Sequence, residues 1–495
     1  MNLLQKTRTL FWVLALSVAL VPAANAEDPV YRIATFRADV TIPLGHRCMG
    51  ILPVKAQTID DPLEARGFVL LATDRPIVLL ALDWCEVRNG AYDQWRDALA
   101  TAAGTTRERV LVSSLHQHDA PVVDSGAQAL LDGVGLKGEL YDTAFHAECI
   151  ARVTGAMVES LKSPQPVTHL GIGQAKVEKV ASSRRIVHED GRVSWDRFSA
   201  SGGDPRHSEA PEGEIDPWLK TISFWRGDTP LLALSSYATH PMSYYGRGGV
   251  SADFVGLARR RRQKDDSRTF QIYVTGCSGD VTAGKYNDGT PLMRQVLADR
   301  LNEAMKQAWE ATERFPLERV AFRSAALDLP FHEGPQFARQ ALEKTLVDEN
   351  AKISDRILAA MGLSSLDRVA RGEKIYLPCL DLGRTKIVLF PGEAFVGYQL
   401  LAQRLAAKSF VLSIGYGECW PGYIPTQAAF ADHFNHDWRW AGPGSEERIH
   451  DALLKVLPAK PLLAIDDLYR LESRRSLVVA PDNRSAVYIR RWVDG

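Results

Sequence analysis

Short apolar runs, each ending on a polar or metal-capable side chain, alternate along this chain with amphipathic stretches. Tyr31–Val40, Ala65–Ala72 and Ile77–Val87 predict strands from their apolar and β-branched density. Tyr92–Ala103 predicts a helix, and the run Leu111-Val-Ser-Ser-Leu then enters His116-Gln-His118-Asp-Ala-Pro121. On an extended backbone, residues two apart face the same way, so both imidazoles are expected to converge. The preceding strand and helix make His116 the end of a β-α-β unit, where sites on α/β sheets gather.

Farther on, Ala151–Leu161 predicts a helix and Val167–Gln174 a strand. Residues 200–214, rich in Gly, Pro and polar side chains, predict a surface loop. Leu231–Ala238 reads as a strand running into Thr239-His240-Pro241, followed by a helix at Phe254–Arg262 and a strand at Gln271–Thr275. A helix is expected over 291–311, a strand near 319–329 and helices over 336–361. Ile375–Leu382 and Thr385–Phe390 suit a hairpin across Gly383-Arg384. Pro391-Gly392-Glu393 opens an amphipathic helix to about Leu405, and Val411–Tyr416 returns as a strand. This alternation, without repeats or low-complexity tracts, predicts an α/β fold with a mixed β-sheet core and helices on its faces.

Composition narrows the class. The N-terminus carries Lys6 and Arg8, an apolar core at Leu10–Val21 and Ala24-Asn25-Ala26, the pattern of a secretory signal peptide over residues 1–26. Export to the periplasm or medium is the expectation. No later run approaches the roughly 18 apolar residues of a membrane span. The net charge of −1 over 495 residues, with no basic tract, argues against nucleic acid as a partner. The six cysteines show no zinc-finger spacing and read as buried thiols rather than a disulfide framework. Residues 27–457 are expected to form the main domain, and 458–495 a short extension with a hairpin of Ser476–Ala480 and Ala486–Arg491.

Four positions share one grammar, a strand end followed at once by a polar side chain: His116/His118, His240, Glu393 and Tyr423. Two imidazoles and a carboxylate make a typical catalytic zinc set with one position left for water. Taken singly, each has a plainer reading. A His-x-His pair is more often structural, His240 suits a hydrogen-bonded core histidine, and Glu393 suits a helix N-terminus. The metallo-β-lactamase pattern fails because Asp119 directly follows His118 and Ala120 comes next.

The motifs and their order resemble the neutral (neutral/alkaline, non-lysosomal) ceramidases, in their N-terminal catalytic domain. Leu-His116-Gln-His118-Asp-Ala-Pro121 corresponds to the family's Thr-His-Thr-His-Ser-Gly-Pro, and Ala238-Thr-His240-Pro-Met-Ser to its Ala-x-His-x-x-Ser-Met. Gly279-Asp280-Val-Thr282 partly matches its Gly-Asp-x-Ser, Pro391-Gly-Glu393 its Pro-Gly-Glu, and Trp420-Pro-Gly-Tyr423-Ile-Pro-Thr426 its tyrosine motif. Met49-Gly50 and Arg66-Gly-Phe68 extend the likeness, which runs from about residue 33 to 445.

The resemblance implies one Zn2+ per chain, held by His116, His240, Glu393 and Tyr423, with His118 facing the substrate. It places Arg184 (or Arg185) at a substrate-contacting position and Thr282 where the family has serine. It further implies metal-activated water cleaving an N-acyl amide of a small-molecule or lipid substrate, with peripheral membrane contact if that substrate is a lipid. Departures are Ala283-Gly284 for Pro-Asn, Phe434-Asn-His436-Asp for Arg-Tyr-Glu, and too little chain after Leu457 for the family's immunoglobulin-like domain. The scaffold and metal set therefore carry over better than ceramide itself. A polar ester, lactone or sugar-linked amide is the alternative substrate, suggested by Asp119, Arg247, Lys285, Asn287 and Asp288 near the motifs. An exported binding protein without turnover is the alternative from another class. Oligomeric state is left open.

Overall fold

Three sheets carry the fold, and each has an edge made by a parallel pair of strands. The computed structural model describes residues 31–72 and 74–457, with two short strands beyond them, Leu477–Val479 and Ala486–Tyr488, that pair antiparallel. The signal-peptide segment lies outside the described residues. Among the described residues no helix is long and apolar enough to cross a membrane.

The first sheet runs Val110–Ser114, Ile77–Leu82, Glu64–Leu71, Tyr31–Asp39, Gln165–Val167. Its parallel pair is Ile77–Leu82 with Val110–Ser114, joined through the helix Asn89–Ala103. The second runs Phe270–Thr275, Thr229–Tyr237, Trp218–Arg226, His169–Lys176, Glu313–Pro316, with Thr229–Tyr237 and Phe270–Thr275 parallel. The third runs Ala321–Leu327, Ile375–Asp381, Thr385–Leu389, Phe410–Ile414, the last two parallel. The mixed α/β architecture is as the sequence pattern predicts.

One apolar core joins the three sheets. Phe68, Leu79 and Leu111 from the first meet Ile222, Leu234 and Val274 from the second, together with Ile387, Leu412 and Ile414 from the third. Burial of such side chains stabilises by about 1.5–3 kcal/mol each, so this packing fixes how the sheets lie against one another. Beyond the core, the carboxyl ends of the parallel strands are stitched by the main chain. Ser114 N–H donates to Tyr416 O at 3.1 Å, and Gly415 N–H to Thr275 O at 2.8 Å. Thr275 Oγ1 donates to Leu115 O at 2.8 Å, and Ser113 Oγ to Gly415 O at 2.9 Å. Three strand ends from three sheets are thus brought to one place.

Several elements differ from the sequence expectation. The run Ile77–Val87 is not one strand: it stops at Leu82, bends through Asp83, and resumes as Glu86–Arg88 beside Val122–Asp124. At the bend the Asp83 carboxylate accepts from Arg259 at 2.5 and 2.7 Å and from the Glu64 N–H at 2.9 Å, anchoring the turn between the two strands. The helix expected from Ala151 starts at Thr143, because Asp142 caps the N–H groups of Ala144 and Phe145. Trp218–Arg226, not anticipated, is the middle strand of the second sheet and forms a hairpin across Gly227-Asp228. The expected helix at Glu393 begins at Val396 instead. Glu393–Ala394 pair in parallel with Tyr423–Ile424, with Glu393 N–H donating to Gly422 O at 2.8 Å. The six cysteines are all buried and free.

Candidate metal centre

His116 and His240 reach the same carboxylate oxygen. His240 Nε2 lies 2.9 Å and His116 Nε2 3.2 Å from Glu393 Oε2, all three side chains being almost wholly buried. Their other ring nitrogens face the main chain. His116 Nδ1 is 3.2 Å from Cys85 O, and His240 Nδ1 is 2.6 Å from Ser278 O and 3.1 Å from Val281 O. Carbonyls only accept, so each Nδ1 carries the proton and each Nε2 offers a lone pair inward.

These donors suit a small tetrahedral ion. Bonds of about 2.0–2.1 Å place tetrahedral ligand atoms about 3.3 Å apart. One atom each from His116, His240 and Glu393 lie within 4.8 Å of one another. The fourth candidate, Tyr423, presents its hydroxyl beside Glu393 and accepts from Arg184 Nη1 at 2.8 Å.

Backbone conformation is unusual at these turns. His116 has φ 65° and Tyr416 φ 56°, both in the left-handed region that disfavours bulky side chains. The two rings stack at 4.4 Å and 14°, and Tyr416 Oη meets Ser278 Oγ at 2.7 Å. His116 and His118 therefore do not converge through strand alternation, as the sequence suggested. The strand has ended at Ser114, and a turn brings their rings to 5.3 Å.

Electrostatics follow from burial and pairing. Burial pushes the His240 pKa down to about 4, and Arg184 adds to that push. His118 is held well below its ordinary value by burial, then by His116 and His240. Burial also works against charge on His116, but the Glu393 carboxylate, helped by Glu86, outweighs it and raises the pKa. Burial opposes charge on Glu393 too, yet His116 and His240 keep it well below the carboxylate range.

A cavity of about 130 Å³ opens beside this cluster. His116, His118, Arg184, Glu393 and Tyr423 line it, as do Cys85, Tyr245, His436 and Trp438. His118 packs edge-on against Tyr245 at 4.6 Å, with its Nδ1 buried and unpartnered. A larger groove of about 660 Å³, bounded by residues such as Arg37, Gln165, Arg268 and Phe270, contains none of the clustered histidines or Glu393. The chemistry assigns the candidate site to the smaller cavity.

Not every residue expected at the site faces it. Thr282 is fully buried beside His240, and its hydroxyl has no partner and does not line the cavity. Arg185 turns away to pair with Asp432 at 2.6 Å. Asp119 accepts from Gly246 N–H and pairs with Arg294, while Lys285 and Asn287 bind main-chain carbonyls. These polar groups hold loops in place and lend no support to a polar substrate.

The sequence reading also missed Glu86, Tyr416, Tyr245 and Trp438. Tyr416 obeys the strand-end grammar, two residues past Ile414, and was legible on that rule. Glu86 is a lone acid in an apolar run.

Three sheet edges meeting at a buried His-His-Glu-Tyr cluster define an α/β protein with a candidate metal centre. No protein-family model matches the sequence, and no curated protein sequence does either. Solved structures do. The chain superposes on the neutral ceramidase from Pseudomonas aeruginosa with a TM-score of 0.62 at 17% identity, covering 87% of this chain and 74% of that one. It superposes on a structure described as ceramidase complexed with C2 with a TM-score of 0.61 at 16% identity, covering 94% and 80%. The fold is neutral-ceramidase-like.

Proposed function

We propose that this chain is an exported, zinc-dependent amidohydrolase that cleaves an N-acyl bond with water. The observation that carries the reading is the convergence of His116 Nε2 and His240 Nε2 on one Glu393 oxygen, with both Nδ1 atoms held by carbonyls. His116, His240, Glu393 and Tyr423 would hold the ion. Bound zinc makes water acidic enough to attack near neutral pH and polarises the scissile carbonyl.

The chain's own residues supply the rest. His118, neutral because burial lowers its pKa, accepts the proton of the attacking water and returns it to the departing amine nitrogen. Arg184, bound to Tyr423 and lining the cavity, stabilises negative charge developing on the carbonyl oxygen.

The test is zinc content and amide hydrolysis measured on the same samples of mature protein and a His116→Ala/His240→Ala variant. One zinc per chain with turnover, both lost in the variant, is the expected result. Absence of zinc from the wild-type protein would refute the mechanism. The same residues would serve ester cleavage, whose alcohol leaving group demands less of His118, so an ester series belongs in the assay.

A further inference from the structure

Arg184 is a buried cation with no ion pair among the described residues. It is 5% exposed, its guanidinium lines the cavity, and it makes no salt bridge among the described residues. Its side chain donates to one neutral acceptor, the Tyr423 hydroxyl, and its Nε is buried without a partner. An unpartnered Nε is shared with Arg88, Arg259 and Arg439, and Arg439 also makes no salt bridge among the described residues, but several other buried guanidiniums have a carboxylate. Arg88 pairs with Glu86, Arg259 with Asp83 and Glu64, and Arg294 with Asp119. Arg96 and Arg356, which make no salt bridge among the described residues, donate to main-chain carbonyls.

The acids near Arg184 are committed elsewhere. Glu393 is shared by the two histidines, and Asp280 accepts the Val396 N–H at 2.8 Å. A buried charge left without a partner is costly, and the cavity is where a partner has room to bind. A second donor stands alongside. His436 lines the cavity with its ring 4.7 Å from Tyr423, and its Nδ1 accepts the Trp438 N–H at 3.0 Å. That bond leaves the proton of the neutral ring on Nε2. A fork-shaped cation and an N–H donor flanking one tyrosine suit a carboxylate, which accepts two hydrogen bonds in a plane.

Met49, Ile51 and Phe198 also line the cavity and give the rest of the substrate an apolar surface to lie against.

We infer that the substrate is an N-acyl amino acid, its carboxylate bound by Arg184 and His436. This rests on the amidohydrolase reading above. Water adds across the amide: its oxygen joins the acyl carbon, the C–N bond breaks, and the amine nitrogen takes up the proton. The products are a carboxylic acid and a free amino acid.

The experiment uses zinc-loaded protein and matched pairs, N-acetyl amino acids with the carboxylate free or capped as the N-methylamide, beside a fluorogenic ceramide. The free acid should exceed the capped one in kcat/KM by at least about tenfold, mainly through KM. Arg184→Met should erase that preference, and Arg184→Lys should keep part of it. Equal turnover of free and capped substrates overturns the inference. So does an Arg184→Met variant that loses kcat alike for both and keeps the free-acid preference, since the guanidinium then serves only the carbonyl oxygen. Ceramide cleavage without cleavage of N-acetyl amino acids overturns it while leaving the amidohydrolase reading intact. No amide hydrolysis at all removes both. Should Arg184→Met fail to fold, the matched pairs on wild-type protein decide the matter alone.

Discussion

Glu86 stands behind His116, its Oε1 3.7 Å from the Nδ1 that faces away from the metal-binding side. The same oxygen accepts the Trp438 indole N–H at 3.0 Å, and Arg88 pairs with the other at 2.9 Å. One carboxylate thus supports a candidate ligand and a wall of the cavity together. Glu86→Gln, which keeps an acceptor for Trp438 and removes the charge, should weaken zinc binding by about 10–100-fold. Competition with a chromophoric chelator reads this directly. Unchanged affinity would leave Glu86 a packing role only.

Removing the metal should cost stability as well as activity. A ligand at 100 times its Kd stabilises the folded state by about 2.7 kcal/mol, so thermal melts with and without a chelator should separate. Added zinc should restore both the melting temperature and turnover. Melts that coincide would argue against a buried metal site.

Tyr416 offers a way to separate ring from hydroxyl. Tyr416→Phe keeps the stack on His116 and leaves Ser278 Oγ without its partner, a loss of about 1 kcal/mol in stability with metal binding retained. Tyr416→Leu removes the flat face against the imidazole and should weaken metal binding too. Equal metal affinity in both variants would show that the stack does not orient His116.

Gly422 precedes Tyr423 at φ 60°, and a Cβ there would lie 1.9 Å from Trp438 O. Gly422→Ala should cost about 3 kcal/mol and displace Tyr423. Gly104 has a similar φ of 66° and open space around it, so Gly104→Ala should cost only about 1 kcal/mol, the backbone share of the penalty. Equal costs would mean that the close approach at Gly422 relaxes freely.

Glu418 gives a pH test away from the cluster. Burial raises its pKa from 4.5 to about 7, although Arg368 opposes this. Between those values the folded state holds a proton that the unfolded state has released, so this contribution to stability falls as pH rises from about 4.5 to 7. Glu418→Gln cannot ionise and should gain on the wild type over that window, as melts at pH 5 and pH 8 would show. A constant difference would mean Glu418 is already ionised at pH 5.

Much of the site was legible because strand ends are local features. The apolar runs before His116, before His240 and before Glu393 each stop at a polar residue, and hydrophobic periodicity alone marks those positions. The β-α-β unit leading to His116 and the hairpin across Gly383-Arg384 follow from the same rule. Where a distant partner intervenes, local reading fails. The bend after Leu82 is anchored by Asp83 on Arg259, 176 residues away. Glu393 leaves the expected helix because its neighbour is the segment at Tyr423.

The sequence by itself determined the alternating α/β elements and the residue types waiting at their ends, since these depend on side chains close along the chain. Only the tertiary structure decided which of those ends meet, which polar residues are spent holding loops, and that Arg184 lies beside a small cavity with no salt bridge among the described residues. Such facts depend on how three sheets share one apolar core, which sums contacts between residues hundreds of positions apart.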